Sequence, residues 1–157
     1  MRERRYGVAT PEELAGLSGR EVLQAMIDGH LPFATMYERL SIRLVEVGEG
    51  IAVFEGDPHG GVLNPAGTVH GGWALSLIDS ATGCAAHTTL GAGIAYTTVE
   101  TKGNFSRPIT PETGVVRCTG RVISKGRTII TSEATVTDAT GRVLGHGTST
   151  LLVLGPR

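Results

Sequence analysis

The stretch "NPAGTVHGGWALSLIDSATGCAA", Asn64 to Ala86, decides how the rest of the chain is read. It opens on turn formers, passes through His70-Gly71-Gly72, and continues as an apolar run to about Thr89. Leu75, Ile78, Thr82 and Ala86 recur at helical spacing. The run exceeds strand length and is poor in β-branched residues, so it predicts a helix. Its small residues, Ala74, Ala81, Gly83, Cys84, Ala85 and Ala86, would let a sheet curl closely around it. One carboxylate, Asp79, stands inside this run. A lone charge on a buried helix is costly unless it is paired or functional. Asp79 is therefore the first candidate for chemistry; the structural alternative is a bond to the hydroxyls of Ser80 or Thr82, or to backbone.

Outward from this helix the pattern changes character. Upstream, "IRLVEV", Gly48-Glu49-Gly50 and "IAVFEG" predict two strands about a short turn. Downstream, "IAYTTVETKGNFSRPI" alternates until Pro108, and three further strand-like runs follow. Turns are expected at Lys125-Gly126 and Thr140-Gly141. The order is a hairpin, one helix, then a long antiparallel meander. It predicts an α+β fold, an antiparallel sheet wrapped around one long central helix. Short extra N-terminal helices precede it. "TPEELAGL" carries a capping box of Thr10 and Glu13 with Pro11 at the first helical position. "SGREVLQAMIDG" repeats the device with Ser18 and Glu21 and ends at Gly29. Residues 1–32 are assigned as an N-terminal helical extension, a cap over the main domain, and 33–157 as that domain.

Bulk properties bound the function. A chain of 157 residues suits one core. A formal net charge of −1 argues against general nucleic-acid binding. The basic "MRERR" start is followed by no apolar stretch, so neither a signal peptide nor a membrane span is predicted, and a solvated, frayed terminus is expected. Cys84 and Cys118 form no C-x-x-C pair and predict two buried, free thiols. His30, His59 and His146 show no ligand spacing, and no metal site is expected. His87 reads as a favourable last-turn residue. These features point to a cytoplasmic protein.

The pattern N-P-x-G-x-x-H-G-G-x6-D-x-A-x-G-x-A, here Asn64, Pro65, Gly67, His70, Gly71, Gly72, Asp79, Ala81, Gly83 and Ala85, resembles the hotdog-fold thioesterases of the PaaI-like, phenylacetate-degradation branch. "VETKGNFSRPI" is similar to that family's strand ending in an aromatic, two residues and Pro. The resemblance spans about Phe33 to Leu154. It implies acyl-CoA thioester hydrolysis with no metal or organic cofactor, coenzyme A being part of the substrate. It also implies a homodimer with shared sites at the interface, commonly paired into a tetramer. By resemblance, His70 holds the loop presenting Gly71, and Thr98 supplies a hydroxyl that steers water, with Thr97 as the alternative match.

The chemistry agrees with these residue types. A thioester carbonyl must be polarised and a water activated. A helix opened by Gly71 and Gly72 offers unpaired N–H groups at its positive end. Asn64 can donate an amide hydrogen, and Asp79 can act as base or nucleophile. Trp73 could line an acyl pocket, with core or interface packing as its other use. Lys102, Arg107, Lys125 and Arg127 are candidates for the phosphates of coenzyme A. Asp79 lies eight residues beyond Gly71, about 12 Å of helical rise. One helix cannot bring both to one carbonyl, whereas two helices of a two-fold dimer can. Competing readings are a hotdog hydratase or dehydratase, whose Asp-x-Asn-Pro-x-His segment does not occur here, and a non-catalytic acyl-CoA-binding module.

Overall fold

A computed structural model describes residues 4–156, the side chain of Pro156 excepted. Residues 1–3 and Arg157 lie outside it, and with them part of the basic start and the last residue of the expected 33–157 domain. Three short helices come first: α1 (Pro11–Leu14), α2 (Gly19–Ile27) and α3 (Thr35–Leu40). Both expected capping boxes form, Thr10 with Glu13 and Ser18 with Glu21. Gly29 follows α2 with φ +78°, the left-handed conformation that ends a helix. Strands β1 (Ile42–Gly48) and β2 (Ile51–Gly56) follow, then α4 (Gly71–His87). Four strands complete the chain: β3 (Ile94–Phe105), β4 (Val116–Lys125), β5 (Ile129–Thr137) and β6 (Val143–Pro156).

The six strands make one antiparallel sheet in the order β1-β2-β4-β5-β6-β3. The expected meander holds only for β4-β5-β6. Strand β3 crosses to the far edge and pairs with β6, because both sides of β4 are taken by β2 and β5. The sheet curls round α4, burying Leu77, Ile78 and Ala81 completely. Full burial of a Leu or Ile side chain stabilises by roughly 1.5–3 kcal/mol, so this face is the main anchor of the fold. The approach is close enough to need glycine. A Cβ at Gly120 on β4 would lie 2.2 Å from the Ala81 carbonyl oxygen.

The N-terminal segment is more than a lid. Leu23 of α2 belongs to the same apolar core as Phe33, Phe54 and Leu77. From Arg5 onward the expected frayed terminus is tied down. Arg5 pairs with Glu13 at 2.9 Å and donates to the His30 carbonyl, and its own carbonyl accepts from Phe33 N–H. Cys84 and Cys118 are buried and free, and burial pushes both thiols up to about 12. Among the described residues, no helix is long and apolar enough to cross a membrane.

Candidate active site at the start of the central helix

The loop before α4 folds on itself because Asn64 satisfies it. Its Oδ1 accepts from the N–H groups of Ala66 at 2.9 Å and Thr68 at 3.3 Å, and its amide donates to Thr68 Oγ1 at 2.7 Å. This Asx turn, with Gly67 at φ +83°, delivers the chain to His70. His70 is the N-cap of α4, and its Nδ1 accepts the Gly72 N–H at 2.9 Å. Its backbone carbonyl accepts from Trp73 N–H. The second and third N–H groups of the helix are thereby satisfied. The first, on Gly71, takes no partner among the described residues. It stands at the positive end of a 17-residue helix.

Gly71 lines a cavity of about 320 Å³ together with Asn64, Phe105 and Arg107. A Cβ at Gly71 would come within 3.0 Å of the Phe105 ring, so glycine keeps the backbone accessible there. Arg107 is held at the rim by a 2.6 Å bond to the Val143 carbonyl. Asp79 is absent from this cavity.

Asp79 lies further along α4, half-buried, where Oδ1 accepts from Thr101 Oγ1 at 2.9 Å. Thr101 also contacts Ser149 Oγ at 3.0 Å, and Ser149 contacts Thr82 Oγ1 at 2.7 Å. Thr82 turns back onto backbone, to the carbonyls of Ile78 at 2.8 Å and Asp79 at 3.1 Å. The expected hydroxyl on β3 thus exists, but the one bonded to Asp79 is Thr101. Thr98 sits before a bulge between Thr98 and Glu100, and Thr97 is exposed. The bulge inserts one residue and reverses which alternate positions face the helix. No signal within the strand's own sequence marks Thr101, because the bulge that turns it toward Asp79 is set by pairing with β6.

The remaining candidates divide. Trp73 is 3% exposed, with its indole N–H on the Leu40 carbonyl at 2.8 Å, and serves the core. Gly72 is exposed and lines, with His70 and Trp73, a separate cavity of about 350 Å³. Lys125 bonds the Thr89 carbonyl beyond the far end of α4, and exposed Arg127 is in the same β4–β5 turn. Within one chain these two are not beside the Gly71 cavity, and Arg107 is. Lys102 is exposed on β3. His87 is half-buried against Tyr96, ring centroids 5.4 Å apart, and burial favours its neutral form. Its place in the last turn of α4 is the expected one, and burial disfavours the charged form that would complement the helix end. Among the described residues no group of three or more His, Cys, Asp or Glu side chains converges.

The sequence profile described as "Thioesterase superfamily" matches residues 66–144, which include the Gly71–Asp79 segment. The chain belongs to the thioesterase superfamily. Conserved protein PA5202 from Pseudomonas aeruginosa has a similar structure, 29% identical, covering 78% of this chain and 95% of that one, TM-score 0.73. The E. coli PaaI protein from the phenylacetic acid degradation operon, at 20% identity, 88% and 94% coverage and TM-score 0.75, shares the fold. So does smu.793 from Streptococcus mutans, solved bound to acetyl CoA, at 25% identity, 74% and 90% coverage and TM-score 0.66. No protein of curated function matches the sequence. The wrapped sheet and central helix of this thioesterase-superfamily chain are thus those of a hotdog fold.

Proposed function

We propose that this protein hydrolyses acyl-CoA thioesters to a free acid and coenzyme A. The observation that carries this reading is the Gly71 N–H, unpaired among the described residues, at a helix N-terminus and on a residue that lines a cavity with Asn64 and Arg107. A donor fixed there stabilises the oxyanion that forms as the thioester carbonyl is attacked. The second amide hydrogen of Asn64 can join it. Asp79 takes the proton of the attacking water, the C–S bond breaks, and the thiolate leaves and is protonated. Arg107 suits a phosphate of coenzyme A at the rim. His70 works as a cap through its Nδ1 lone pair and exchanges no proton. A similar protein, smu.793, binds acetyl CoA, which supports this substrate class.

The site is completed by a second copy. The outer edge of β3, the twelve residues Ile94–Phe105, has no strand beside it among the described residues and exposes Val99 and Phe105. A long, Pro-free, partly apolar edge is a template for pairing. Gly71 lies on Phe105 and Asp79 bonds Thr101. Antiparallel pairing of β3 with its copy, centred near Gly103, would set Phe105 of one chain beside Thr101 of the other. Four strand residues span about 13 Å, matching the 12 Å or so between Gly71 and Asp79 on the helix. Each dimer then holds two sites, each taking Gly71 and Asn64 from one chain and Asp79 from its partner. A dimer of dimers extends this reading and is tested by native mass spectrometry.

The deciding experiment is free-thiol release from a panel of short-, medium-, long-chain and aryl acyl-CoAs. Release from at least one is expected; binding with no release from any would overturn the reading in favour of a binding module. Chelator treatment should leave the rate unchanged, since the helix N-terminus does the polarising. A rate that collapses and returns with added zinc would refute the metal-free scheme.

A further inference from the structure

Four contacts tie five groups into one file: Asp79 carboxylate, Thr101, Ser149, Thr82 and the Ile78 carbonyl, at 2.9, 3.0, 2.7 and 2.8 Å. Ser149 and Thr82 are buried, and Thr101 is half-buried. Each hydroxyl carries one proton and can accept from two directions. With Asp79 ionised, three protons serve four contacts, and one contact stays empty. With Asp79 protonated, four protons serve four contacts in a single direction: Asp79 to Thr101, Thr101 to Ser149, Ser149 to Thr82, and Thr82 to the Ile78 carbonyl. The Thr82 contact with the Asp79 carbonyl at 3.1 Å shares the proton given to Ile78 and changes nothing in the count.

We propose that Ser149 and Thr82 are positioning residues which, acting through Thr101, complete a hydrogen-bond relay when Asp79 takes the proton of the attacking water. The proposal rests on the reading of Asp79 as the base. The file is one bond short while Asp79 waits ionised and complete once it is protonated, so it draws the proton toward the carboxylate. In the step Thr101 turns its proton from Asp79 to Ser149 and Ser149 donates to Thr82, while Thr82 keeps its donation to the Ile78 carbonyl, and no proton leaves the file. Buried hydroxyl chains strengthen one another, and an empty contact inside them is costly.

Other titratable groups facing Asp79 do not change charge in the working range. Tyr37 from α3, Cys84 on α4 and Tyr96 from β3 feel its charge, and burial holds the two phenols and the thiol neutral. From β6 the neighbour is the uncharged Ser149. The file alone therefore distinguishes the two states of Asp79 among these groups. Ser132, opposite Ser149 on β5, is buried with an unpartnered hydroxyl and stands outside the file.

The test is the pH profile of kcat/KM. Ser149→Ala leaves two bonds in either state and removes the preference for protonated Asp79. Thr82→Val does the same. Both should move the acid limb to lower pH by roughly half a unit to one unit, the effect of one net hydrogen bond. Thr101→Val removes the charge-assisted donor to the carboxylate and should move the limb the other way; Thr101→Ser should restore it. Ser132→Ala should leave it in place. An acid limb that stays put in Ser149→Ala and Thr82→Val, or that moves upward as in Thr101→Val, would overturn the relay. The same shifts are read without turnover by 13C NMR of the Asp79 carboxyl. If no acyl-CoA is hydrolysed but that titration moves as described, the relay stands and the assigned reaction fails. If hydrolysis proceeds and the titration is unmoved, the reaction stands and the relay fails.

Discussion

Asp79 and Thr101 meet at 2.9 Å although 22 positions separate them in the chain. One lies on the central helix and the other on the edge strand β3, so the carboxylate is held at the boundary between the chain's own core and the strand edge left open. That placement explains how a charge survives on an apolar helix. It has a hydroxyl donor on one side and access from the other, and it requires no cation among the described residues.

Asp79→Asn keeps the size and removes the base. The variant should fold with an unchanged melting temperature and bind substrate. Its kcat should fall by about a hundredfold or more, the scale expected for loss of a general base. Steady-state thiol release measures this, and wild-type turnover in the variant would remove Asp79 from the mechanism.

The shared site has an arithmetic signature. Asp79→Ala and Asn64→Ala, each inactive alone, are unfolded together in equal amounts and refolded. Random pairing makes half the dimers mixed, each with one intact site and one doubly damaged. Roughly a quarter of wild-type activity should return for a two-fold dimer. Activity at the sum of the parents, with exchange verified by native mass spectrometry, would place each site within one chain.

His70 should be replaceable in its role. His70→Ala removes the acceptor for Gly72 N–H at 2.9 Å, and loss of an N-cap costs about 1 kcal/mol. His70→Asn and His70→Ser supply a capping oxygen and should recover most of that stability and activity. Urea midpoints and kcat for the three variants decide it. Failure of both substitutes to restore turnover, with stability restored, would give the imidazole a chemical role beyond capping.

His87 sets a pH dependence of stability. Burial lowers its pKa below the ordinary value of 6.5 in the folded chain. As pH falls through that value the unfolded chain binds a proton that the folded chain refuses, so stability drops. The drop ends once pH passes below the depressed folded value. His87→Gln should therefore lose less stability between pH 7.5 and 5.5 than the wild type does. Equal losses in urea titrations across that range would show that the ring is not the responsible group.

Local pattern determined much of this protein. The helical period of Trp73–Ala86, the turns at Gly48–Gly50 and Thr140–Gly141, and both capping boxes are set by residues within a few positions of one another, and the structure forms them all. The isolation of Asp79 and the glycine pair after His70 were equally legible, since each depends only on residue type and spacing. The tertiary structure alone decided three things. It sent β3 past β4 to the edge beside β6, because both sides of β4 are taken by β2 and β5 and strand order is not written in any one strand. It selected Thr101 over Thr98 and Thr97, because a bulge at Val99 shifts by one residue which side chains face the helix. It also chose among the uses the sequence left open for Trp73, setting its indole on the Leu40 carbonyl in the core, and supplied Tyr96 as the ring beside His87. In each case the deciding partner comes from another element, and a periodic pattern cannot say which element will arrive.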